Sequence, residues 1–436
     1  MNRAGAPPTG APVASNPALG RTAGGAILIL ALLCLVNAFS YVDRSMLALV
    51  MPQLTRELAL SDTITGLIAG LPFALCYAIC AIPLAWVADN HNRRNLLAGA
   101  LAFWSAITAL TGSVQSGWQL AAARFGLGAG EAAGHPTTAS LIADTFDAKS
   151  RTVAFAALSA SVSLGPLIGF PAVGWMLAHY GWRAAYHAVG LAGIVVAVIF
   201  FLTVREPPRA ARSEAKDRIG FFTGVGKLLR APSYGFVVVA GGFNAINQGA
   251  VLTWGPTFLD RVHHLGPQDI GIYFGTVRGV AGLIGALAAA AIVGMLVRRD
   301  IRWQIRAAIV VAILPFLSDM TFLFAPQPLL WQTGLGLSSL FTQFVVAVSY
   351  PLYVNVAPTN LRATASAFYF LVASLMGFIL GPFIVGALND ILVPRMGEGA
   401  IAISMAVASS TALVSALLLI LANRTWARDT ERAEAG

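Results

Sequence analysis

Charged residues are scarce in this chain. Of its 436 residues, 11% are Asp, Glu, Lys or Arg and 57% are hydrophobic, whereas charged residues make up roughly 25% of an average soluble domain. This composition excludes an ordinary soluble domain and predicts an integral membrane protein.

Cysteine is almost absent. Cys34, Cys76 and Cys80 all lie in apolar runs, where a thiol behaves as a small buried hydrophobe. No group of Cys and His has the spacing of metal ligands, no nucleophile stands beside a base, and no phosphate-binding loop occurs. We therefore expect no metal and no cofactor, and neither an enzyme nor an ATP-driven pump.

Long apolar runs occupy most of the chain. A bilayer core of roughly 30 Å requires about 20 apolar residues in a helix, and strands of about 5 to 6 residues are far too short to explain such runs. Windows of this length predict twelve transmembrane helices. Their spans are 27–52, 63–88, 94–115, 118–144, 150–178, 183–203, 233–259, 268–297, 303–324, 328–357, 360–389 and 400–423.

Basic residues are distributed unequally between the two sides of the predicted bundle. Of the 28 Lys and Arg residues, only Arg56, Arg183, Arg261 and Arg395 lie in loops opposite the N-terminus. By the positive-inside rule, both termini are expected in the cytoplasm. Basic residues at membrane edges meet lipid headgroups, so the net charge of +9 does not indicate nucleic-acid binding.

The two halves of the chain repeat a pattern. Gly165-Pro166 on the fifth predicted helix recurs as Gly381-Pro382 on the eleventh, about half a chain length later. Such a repeat predicts duplication of a six-helix unit. Glycine and proline also weaken a helix locally, so we expect these pairs to act as hinges when the halves rock. A channel would not need two matched halves with hinges.

The sequence divides into five predicted segments. These are a disordered cytoplasmic N-terminal tail (1–25), a six-helix bundle (26–203), a basic cytoplasmic linker (204–232), a second six-helix bundle (233–423) and a cytoplasmic C-terminal tail (424–436). The first segment is rich in Ala, Gly and Pro without an apolar core, which is typical of a disordered tail and not of a signal peptide. Nothing demands an oligomer, so we expect a monomer.

Three motifs resemble signatures of the major facilitator superfamily. They are Arg124-x-x-x-Gly128-x-Gly130, Gly165-Pro166-x-x-Gly169 and Ala85-Trp-Val-Ala-Asp89-Asn-His-Asn-Arg93-Arg94. The last motif departs from the superfamily pattern at Ala85, Asn90 and Asn92, but it keeps the aspartate and the arginine pair. The resemblance implies an all-α membrane fold of twelve transmembrane helices in two pseudo-symmetric six-helix bundles.

Further stretches resemble the spinster family of that superfamily. They are Tyr41-Val-Asp43-Arg44, Gly126-Leu-Gly128-Ala-Gly130-Glu131-Ala, Ser140-Leu-Ile-Ala-Asp144, Trp254-x-Pro256-x-Phe258-Leu259 and Arg362-Ala-Thr-Ala-Ser-Ala. Organic-anion symporters of the same superfamily share the Asp-Arg and Gly-Glu pairs. The resemblance implies a proton-linked or gradient-driven carrier of lysolipids and sphingoid phosphates in a bacterial inner membrane. The alternative is a proton-linked carrier of small organic anions or drugs.

Four charged residues, Asp43, Arg44, Arg124 and Glu131, lie inside predicted membrane helices. A charge near the bilayer centre costs about 2.5–3.5 kcal/mol, so such residues neutralise one another or face a wet cavity. Asp43 lies at a depth between Arg124 and Glu131. We therefore expect Asp43 to pair with Arg124 and to leave Glu131 with fewer partners.

A desolvated carboxyl group with few partners takes up a proton readily. The hypothesis is that Glu131 carries the coupling proton while Asp43 and Arg124 exchange partners. His135, one turn after Glu131, is a candidate proton relay, although it precedes Pro136 and is also explained as a hydrogen-bonded helix residue. A purely structural ion network between the first and fourth helices is the alternative.

The second half offers amide, aromatic and basic side chains. The candidate substrate-binding residues are Asn244, Asn247, Gln248, Trp254, Arg278, Tyr350, Tyr353 and Tyr369. Arg278 is read as the only deeply placed charge of this half. A cavity with ions on one wall and amides and aromatics on the other suits an amphiphile or an organic anion. The same polar residues also hold membrane helices together.

The resemblance to the superfamily implies a cytoplasmic gate where the second predicted helix meets the eleventh. Asp89 would face the helix N-terminus at Thr359, a candidate N-cap with a positive dipole end. Arg151 and Arg362 occupy matching positions in the two halves. The predicted gate residues are Asp89, Arg93, Arg94, Arg151 and Arg362.

Overall fold

The computed structural model describes residues 23–207, 220–297 and 303–435. Almost all of these residues are helical, and no strand occurs among them. The predicted N-terminal tail lies outside the described residues apart from its last three, as does the central part of the predicted linker.

Six helices form the first half. They are α1 (Ala23–Glu57), α2 (Asp62–Asn90), α3 (Arg93–Thr111), α4 (Gly117–Glu131), α5 (Gly134–Thr145) and α6 (Ala148–Thr203). α6 has 56 residues, and a straight helix of that length would measure about 84 Å, nearly three bilayer cores. Its chain bends at Gly181, where φ is +78°, a conformation that glycine adopts without a steric penalty. α6 therefore makes two crossings.

The predicted fourth span is interrupted after Glu131. α4 ends there, and α5 begins at Gly134. Pro136 provides the physical reason, because it lacks the N–H that would bond to the carbonyl of Ala132, and its ring collides with that carbonyl. The interruption places Glu131 at a helix end in the interior of the bundle.

The second half begins with the short helix α7 (Phe221–Leu228). The remaining helices are α8 (Pro232–Arg261), α9 (Pro267–Ile272), α10 (Arg278–Val297), α11 (Trp303–Phe324), α12 (Pro328–Asn355), α13 (Arg362–Leu375), α14 (Gly381–Met396), α15 (Ala400–Ser409) and α16 (Thr411–Ala435). π-Helical turns, Tyr273–Val277 and Met376–Leu380, join α9 to α10 and α13 to α14. A 3₁₀ turn, Thr359–Leu361, precedes α13.

Nine helices of the described chain are long and apolar enough to cross a bilayer by themselves. One of them, Ser150–Thr203, makes two crossings because of the bend at Gly181. α3 and the interrupted α4–α5 pair supply the other two. The predicted fold of twelve transmembrane helices in two six-helix bundles is confirmed.

The two halves pack differently at the two ends of the bundle. We call the end where α1 begins and α16 ends the proximal face, and the opposite end the distal face. At the distal face one hydrophobic core includes both halves, with Met51 of α1 and Trp254 of α8 in it. At the proximal face each half has its own core, around Leu97 in the first half and Tyr234 in the second. The halves are therefore closed together at the distal face.

The predicted C-terminal tail continues α16 as a helix up to Ala435. Trp426 is fully buried, and the carboxylate of Asp429 accepts hydrogen bonds from the backbone N–H and the hydroxyl of Ser233. This segment is therefore packed against the start of α8.

Candidate functional site

Glu131 ends α4 and forms an ion pair with Arg44 of α1. Nη2 of Arg44 lies 2.6 Å from Oε2 of Glu131, and Nε of Arg44 donates to the same oxygen at 3.2 Å. Ser40, one turn earlier on α1, donates its hydroxyl to this oxygen at 2.9 Å. The Glu131 side chain is 0% exposed, and within the described chain its Oε1 has no hydrogen-bond partner.

Asp43 and Arg124 are buried beside this pair but are not bound to each other. Nη2 of Arg124 donates to the carbonyl of Ala69 at 2.8 Å. Neither Nε of Arg124 nor Oδ1 of Asp43 has a hydrogen-bond partner among the described residues. The expected pairing was therefore wrong: Glu131 is the carboxylate with an ion-pair partner. Adjacent helical residues point about 100° apart, so Arg44 and Asp43 face different partners.

Four aromatic rings surround the guanidinium of Arg44. Its Cζ lies 5.5 Å from the ring centroid of Tyr41, 4.9 Å from Phe73, 5.6 Å from Tyr77 and 5.8 Å from Phe378. A cation over such a ring is stabilised by about 0.5–2 kcal/mol. Three rings belong to the first half, and Phe378 belongs to the π-helical turn of the second. This aromatic cage therefore holds Arg44 where the two halves meet.

A small cavity of about 30 Å³ lies between the halves next to the cage. Its lining residues are Arg44, Ser45, Leu47, Ala48, Ala69, Arg124, Leu252, Thr253, Phe378 and Pro382. Two guanidinium groups thus reach the cavity, while the neighbouring carboxyl groups of Asp43 and Glu131 are buried in the protein. Such a lining favours an anionic group as its occupant.

The interruption between α4 and α5 separates His135 from the ion site. His135 is exposed on the first turn of α5, and Glu131 is instead hydrogen-bonded to Ser40 and Arg44 of α1. A relay through His135 stays a prediction that these contacts do not test.

The candidate substrate residues of α8 do not lie on one face of a cavity. Asn244 and Asn247 are both buried: Asn244 lines a small cavity inside the second half, and Oδ1 of Asn247 accepts a hydrogen bond from Ser409. Trp254 is fully buried, and its Nε1 donates to the carbonyl of Pro382 at 2.9 Å. In this conformation Trp254 packs α8 against α14.

The aromatic candidates Tyr353 and Tyr369 lie in the proximal core of the second half. The rings of Tyr353 and Tyr369 are stacked, with 4.2 Å between their centroids. Gln248 is half-buried. The side chain of Tyr350 lies outside the described part of the structure.

The second half contains a buried carboxyl group that sequence reasoning missed. Asp319 of α11 is 0% exposed, so the interpretation of Arg278 as the only deep charge of this half was wrong. Asp319 lies less than two turns from the end of α11, where sequence alone does not distinguish a buried charge from one at the membrane edge. Arg278 is half-buried, and its Cζ lies 4.8 Å from the ring centroid of Phe274.

The amino-acid sequence matches the profile of a known protein family. The profile of the Major Facilitator Superfamily matches residues 33–382. The chain belongs to this superfamily. It is 30% identical over 401 residues to an MFS-type efflux pump of Mycolicibacterium smegmatis, a match that covers 91% of this chain and 92% of the pump.

Spinster proteins are also similar to this member of the superfamily. The chain is 29% identical over 405 residues to protein spinster homolog 1 of Homo sapiens, covering 85% of this chain and 74% of the human one. Over 414 residues it is 26% identical to the protein spinster of Drosophila melanogaster, covering 90% and 66% of the two chains. The resemblance to the spinster family is confirmed, and the chain is a multi-pass membrane transporter and not an enzyme.

Solved structures show the same fold. A bacterial homolog of the human lysosomal transporter spinster, in an inward-facing and unoccupied conformation, superimposes with a TM-score of 0.82 at 23% identity, covering 94% of this chain and 99% of that one. The nucleoside transporter NupG gives a TM-score of 0.70 at 14% identity, covering 90% of this chain and 98% of that one. At these identities the likeness is one of fold.

The superfamily loop motif after α2 anchors the first half to the start of the linker. Arg93 is 1% exposed and forms ion pairs with Asp144 and with Glu206, the latter at 2.7 Å. Its Nη2 donates to the carbonyl of Pro207 at 3.0 Å, and the backbone N–H of Arg94 donates to Glu206 at 2.9 Å. Arg93 therefore ties α3 to α5 and to the segment after α6.

The other expected gate residues are placed separately. Asp89 is half-buried at the end of α2, and Arg362 is exposed at the start of α13. Arg151 donates to the carbonyl of Ala143 at 2.6 Å and so caps the end of α5. The N-cap expected at Thr359 was wrong, because Thr359 is the first residue of a 3₁₀ turn that leads into α13, and no side-chain cap hydrogen bond occurs at that point of the described chain. A latch that involves Asp89 stays a prediction.

Contacts between the halves cluster instead at the distal face, in a set that we call the distal clasp: Asp62, Thr63, Arg261, Asn389 and Asp390. The Asp62 carboxylate accepts two hydrogen bonds from Arg261, at 2.6 and 2.8 Å, and one from Asn389 at 3.0 Å. The Asp390 carboxylate accepts from the backbone N–H groups of Asp62 and Thr63, at 3.0 and 2.9 Å. Asp390 thus caps the N-terminus of α2 from the opposite half.

Sequence reasoning missed the distal clasp because its charges lie at helix ends, where charges are common. A second ion pair between the halves, Arg56 to Asp260 at 2.5 Å, lies on the same face. The signal available in the sequence was the presence of acidic and basic residues at helix ends in both halves, on the side opposite the termini.

The repeated glycines occupy equivalent places in the two halves. A Cβ atom on Gly165 would lie 2.7 Å from the carbonyl oxygen of Ala38 of α1, and one on Gly381 would lie 2.6 Å from that of Ile246 of α8. Each glycine therefore permits close helix packing on the first membrane-spanning helix of its own half. The hinge role of these glycines and of the prolines that follow them stays a prediction.

Proposed function

We propose that this protein is a proton-coupled secondary carrier that moves a lysolipid-like or sphingoid amphiphile across a bacterial inner membrane by alternating access. The observation that carries the proposal is the buried ion pair of Glu131 and Arg44, with Asp43 beside it and a cavity between the halves in front of it. Buried carboxylates in a membrane protein mark proton and substrate pathways.

The ion pair supplies a coupling mechanism. A proton on Glu131 removes the negative partner of Arg44, and the guanidinium at the cavity wall is then available to an anionic group of the cargo. Loss of the proton restores the ion pair and expels the anion. Proton and anionic cargo therefore bind together in this scheme.

The positive-inside rule puts the proximal face in the cytoplasm. With the distal face closed by a shared core and by the distal clasp, this conformation then faces the cytoplasm. Transport requires the distal clasp to open while contacts form at the proximal face, where the gate with Asp89 is expected.

The choice of an amphiphile rests on the similarity to spinster proteins. The M. smegmatis relative does not support it, because that protein is described as an efflux pump. Two arginines in the cavity lining favour any anionic cargo. A carrier of small organic anions or drugs is therefore the second candidate.

The test uses purified protein in liposomes with an imposed pH gradient and a labelled lysosphingolipid phosphate. Uptake driven by the gradient is expected for the wild type, and its loss is expected in Glu131→Gln. Glu431→Gln is the matched control, because Glu431 is exposed at the end of α16. Unchanged pH dependence in Glu131→Gln would show that Glu131 is not the proton carrier. Movement of a labelled organic anion without movement of the lipid would favour the second candidate.

A further inference from the structure

Asp319 lies in a polar cluster inside the second half, on a different helix set from Arg44 and Glu131. The hydroxyl of Ser338 on α12 lies 2.5 Å from its Oδ1, and that of Ser409 on α15 lies 2.9 Å from its Oδ2. The Ser409 hydroxyl also lies 3.1 Å from Oδ1 of Asn247 on α8. Four helices therefore meet in this cluster.

The cluster is closed to solvent and has no cation in contact. Asp319 and Ser409 are 0% exposed, and Ser338 and Asn247 are 3% exposed. No salt bridge to Asp319 occurs among the described residues. A carboxylate ion without a counter-ion is costly at such a place, whereas a neutral carboxylic acid is not.

The hydrogen bonds of the cluster have a place for this proton. A neutral Asp319 donates its O–H to the Ser409 hydroxyl, and Ser409 donates to Oδ1 of Asn247. Ser338 donates to the other carboxyl oxygen of Asp319. Each of these oxygens then has a hydrogen-bond partner.

The oxygen spacing also argues against a metal ion at this place. The separations of 2.5 to 3.1 Å are hydrogen-bond distances. A hard cation that binds each oxygen at about 2.3–2.6 Å would need these oxygens further apart. The ligand that fits the cluster as it stands is a proton.

Arg278 is the charged group that can replace this proton as the partner of the Asp319 carboxylate. The helices packed against α11 are α10, α12, α15 and α16, and among their described residues Arg278 is the charge that acts on Asp319. Its guanidinium rests on the ring of Phe274, and its Nη1 has no hydrogen-bond partner in the described chain. A cation and a carboxyl group are thus held near each other without contact.

We propose that Asp319 is a second proton-binding site, occupied in this conformation, and that it releases its proton when Arg278 moves from Phe274 to the carboxylate. The proton leaves the Asp319 O–H for a water molecule that enters when the cluster opens, and the O–H bond electrons stay on the carboxylate that Arg278 then neutralises. The part that this site plays in coupling rests on the proposed function, but its protonation does not.

Infrared difference spectroscopy on the full chain in nanodiscs tests this directly. The wild type is expected to show a carboxylic-acid C=O band that is absent in Asp319→Asn and that is lost as the pH is raised. In Arg278→Met the band should persist to higher pH, because the cation that stabilises the carboxylate is missing. Identical spectra of the wild type and Asp319→Asn in this region would overturn the proposal.

Ser409→Ala keeps the test decisive if Asp319→Asn does not fold. This variant removes the acceptor of the proposed O–H, so the band must shift in frequency; an unmoved band contradicts the proposal. The readout requires no cargo. A failure of lipid transport with the Asp319 band present would therefore reject the proposed function and leave this inference standing.

Discussion

The ring of Phe378 lies against the guanidinium of Arg44, with 5.8 Å between the ring centroid and Cζ. The two residues belong to opposite halves, and Phe378 sits on the π-helical turn Met376–Leu380. π-Helical turns interrupt the regular ladder of a helix and are frequent at functional sites. Through this contact, the ion pair of Arg44 and Glu131 depends on the position of the second half.

Phe378→Ala tests this dependence. Removing one ring of the cage should destabilise the position of Arg44 by about 1 kcal/mol. The apparent affinity for an anionic cargo should then fall roughly fivefold. Cargo binding to the purified protein measures it. Phe370→Ala is the control, because Phe370 is 54% exposed on the preceding helix. Equal affinities of the two variants would contradict a role for the cage.

Asp62→Asn should shift the protein toward conformations that are open at the distal face. The variant weakens the two-fold contact with Arg261, whose side chain is 16% exposed. We expect the conformation closed at the distal face to lose about 1–3 kcal/mol of stability, a value between those of exposed and fully buried ion pairs. Distances between spin labels on the distal ends of α1 and α8 report the shift.

The control for the distal clasp is Glu398→Gln. Glu398 also contacts Arg261, at 3.3 Å, but its side chain is 62% exposed, so its loss should leave the distance distribution nearly unchanged. A distribution in Asp62→Asn that matches the wild type would show that the clasp does not hold this conformation.

Gly174→Leu should also disfavour closure at the distal face, by a steric route. α6 and α9 belong to opposite halves, and a Cβ atom on Gly174 would lie 2.7 Å from the carbonyl oxygen of Pro267 and 2.9 Å from Cα of Gly271. Because the clash is between halves and not within one, the expected result is a change of conformation with each half still folded. The same spin-label distances detect it.

Gly99→Leu provides the matched control, since a Cβ atom at Gly99 meets no atom within 4 Å. Unfolding of Gly174→Leu, seen as loss of a monodisperse peak in size-exclusion chromatography, would mean that the contact is needed for the fold and not only for this conformation.

Arg93→Met should destabilise the first half. Arg93 is almost fully buried, and its removal leaves the carboxylates of Asp144 and Glu206 without their shared cation. Breaking a buried pair in this way costs about 3–5 kcal/mol. A lower thermal unfolding midpoint is the expected result, whereas Arg94→Gln, at a half-buried position, should lower it far less. Equal midpoints would contradict the anchoring role of Arg93.

Several features were predictable from residue order alone. Apolar run lengths set the twelve spans, because a helix rises by a constant 1.5 Å per residue and the bilayer has a nearly constant thickness. The depth of Asp43, Arg44, Arg124 and Glu131 inside the bundle followed from the same rise. The repeat of Gly165 and Gly381 also indicated two related halves.

The partners of these residues were decided by the tertiary structure. The sequence specified how deep Glu131 lies but not that its ion-pair partner would be Arg44. The partner depends on the rotation and crossing of α1 and α4, which are properties of the packed bundle. Asp319 likewise became a buried site only when Ser338, Ser409 and Asn247 met around it from other helices. Which face of the bundle is closed also depends on contacts across the halves, the shared core and the Asp62–Arg261 pair among them, since distances between helices of different halves depend on packing and not on position along a helix.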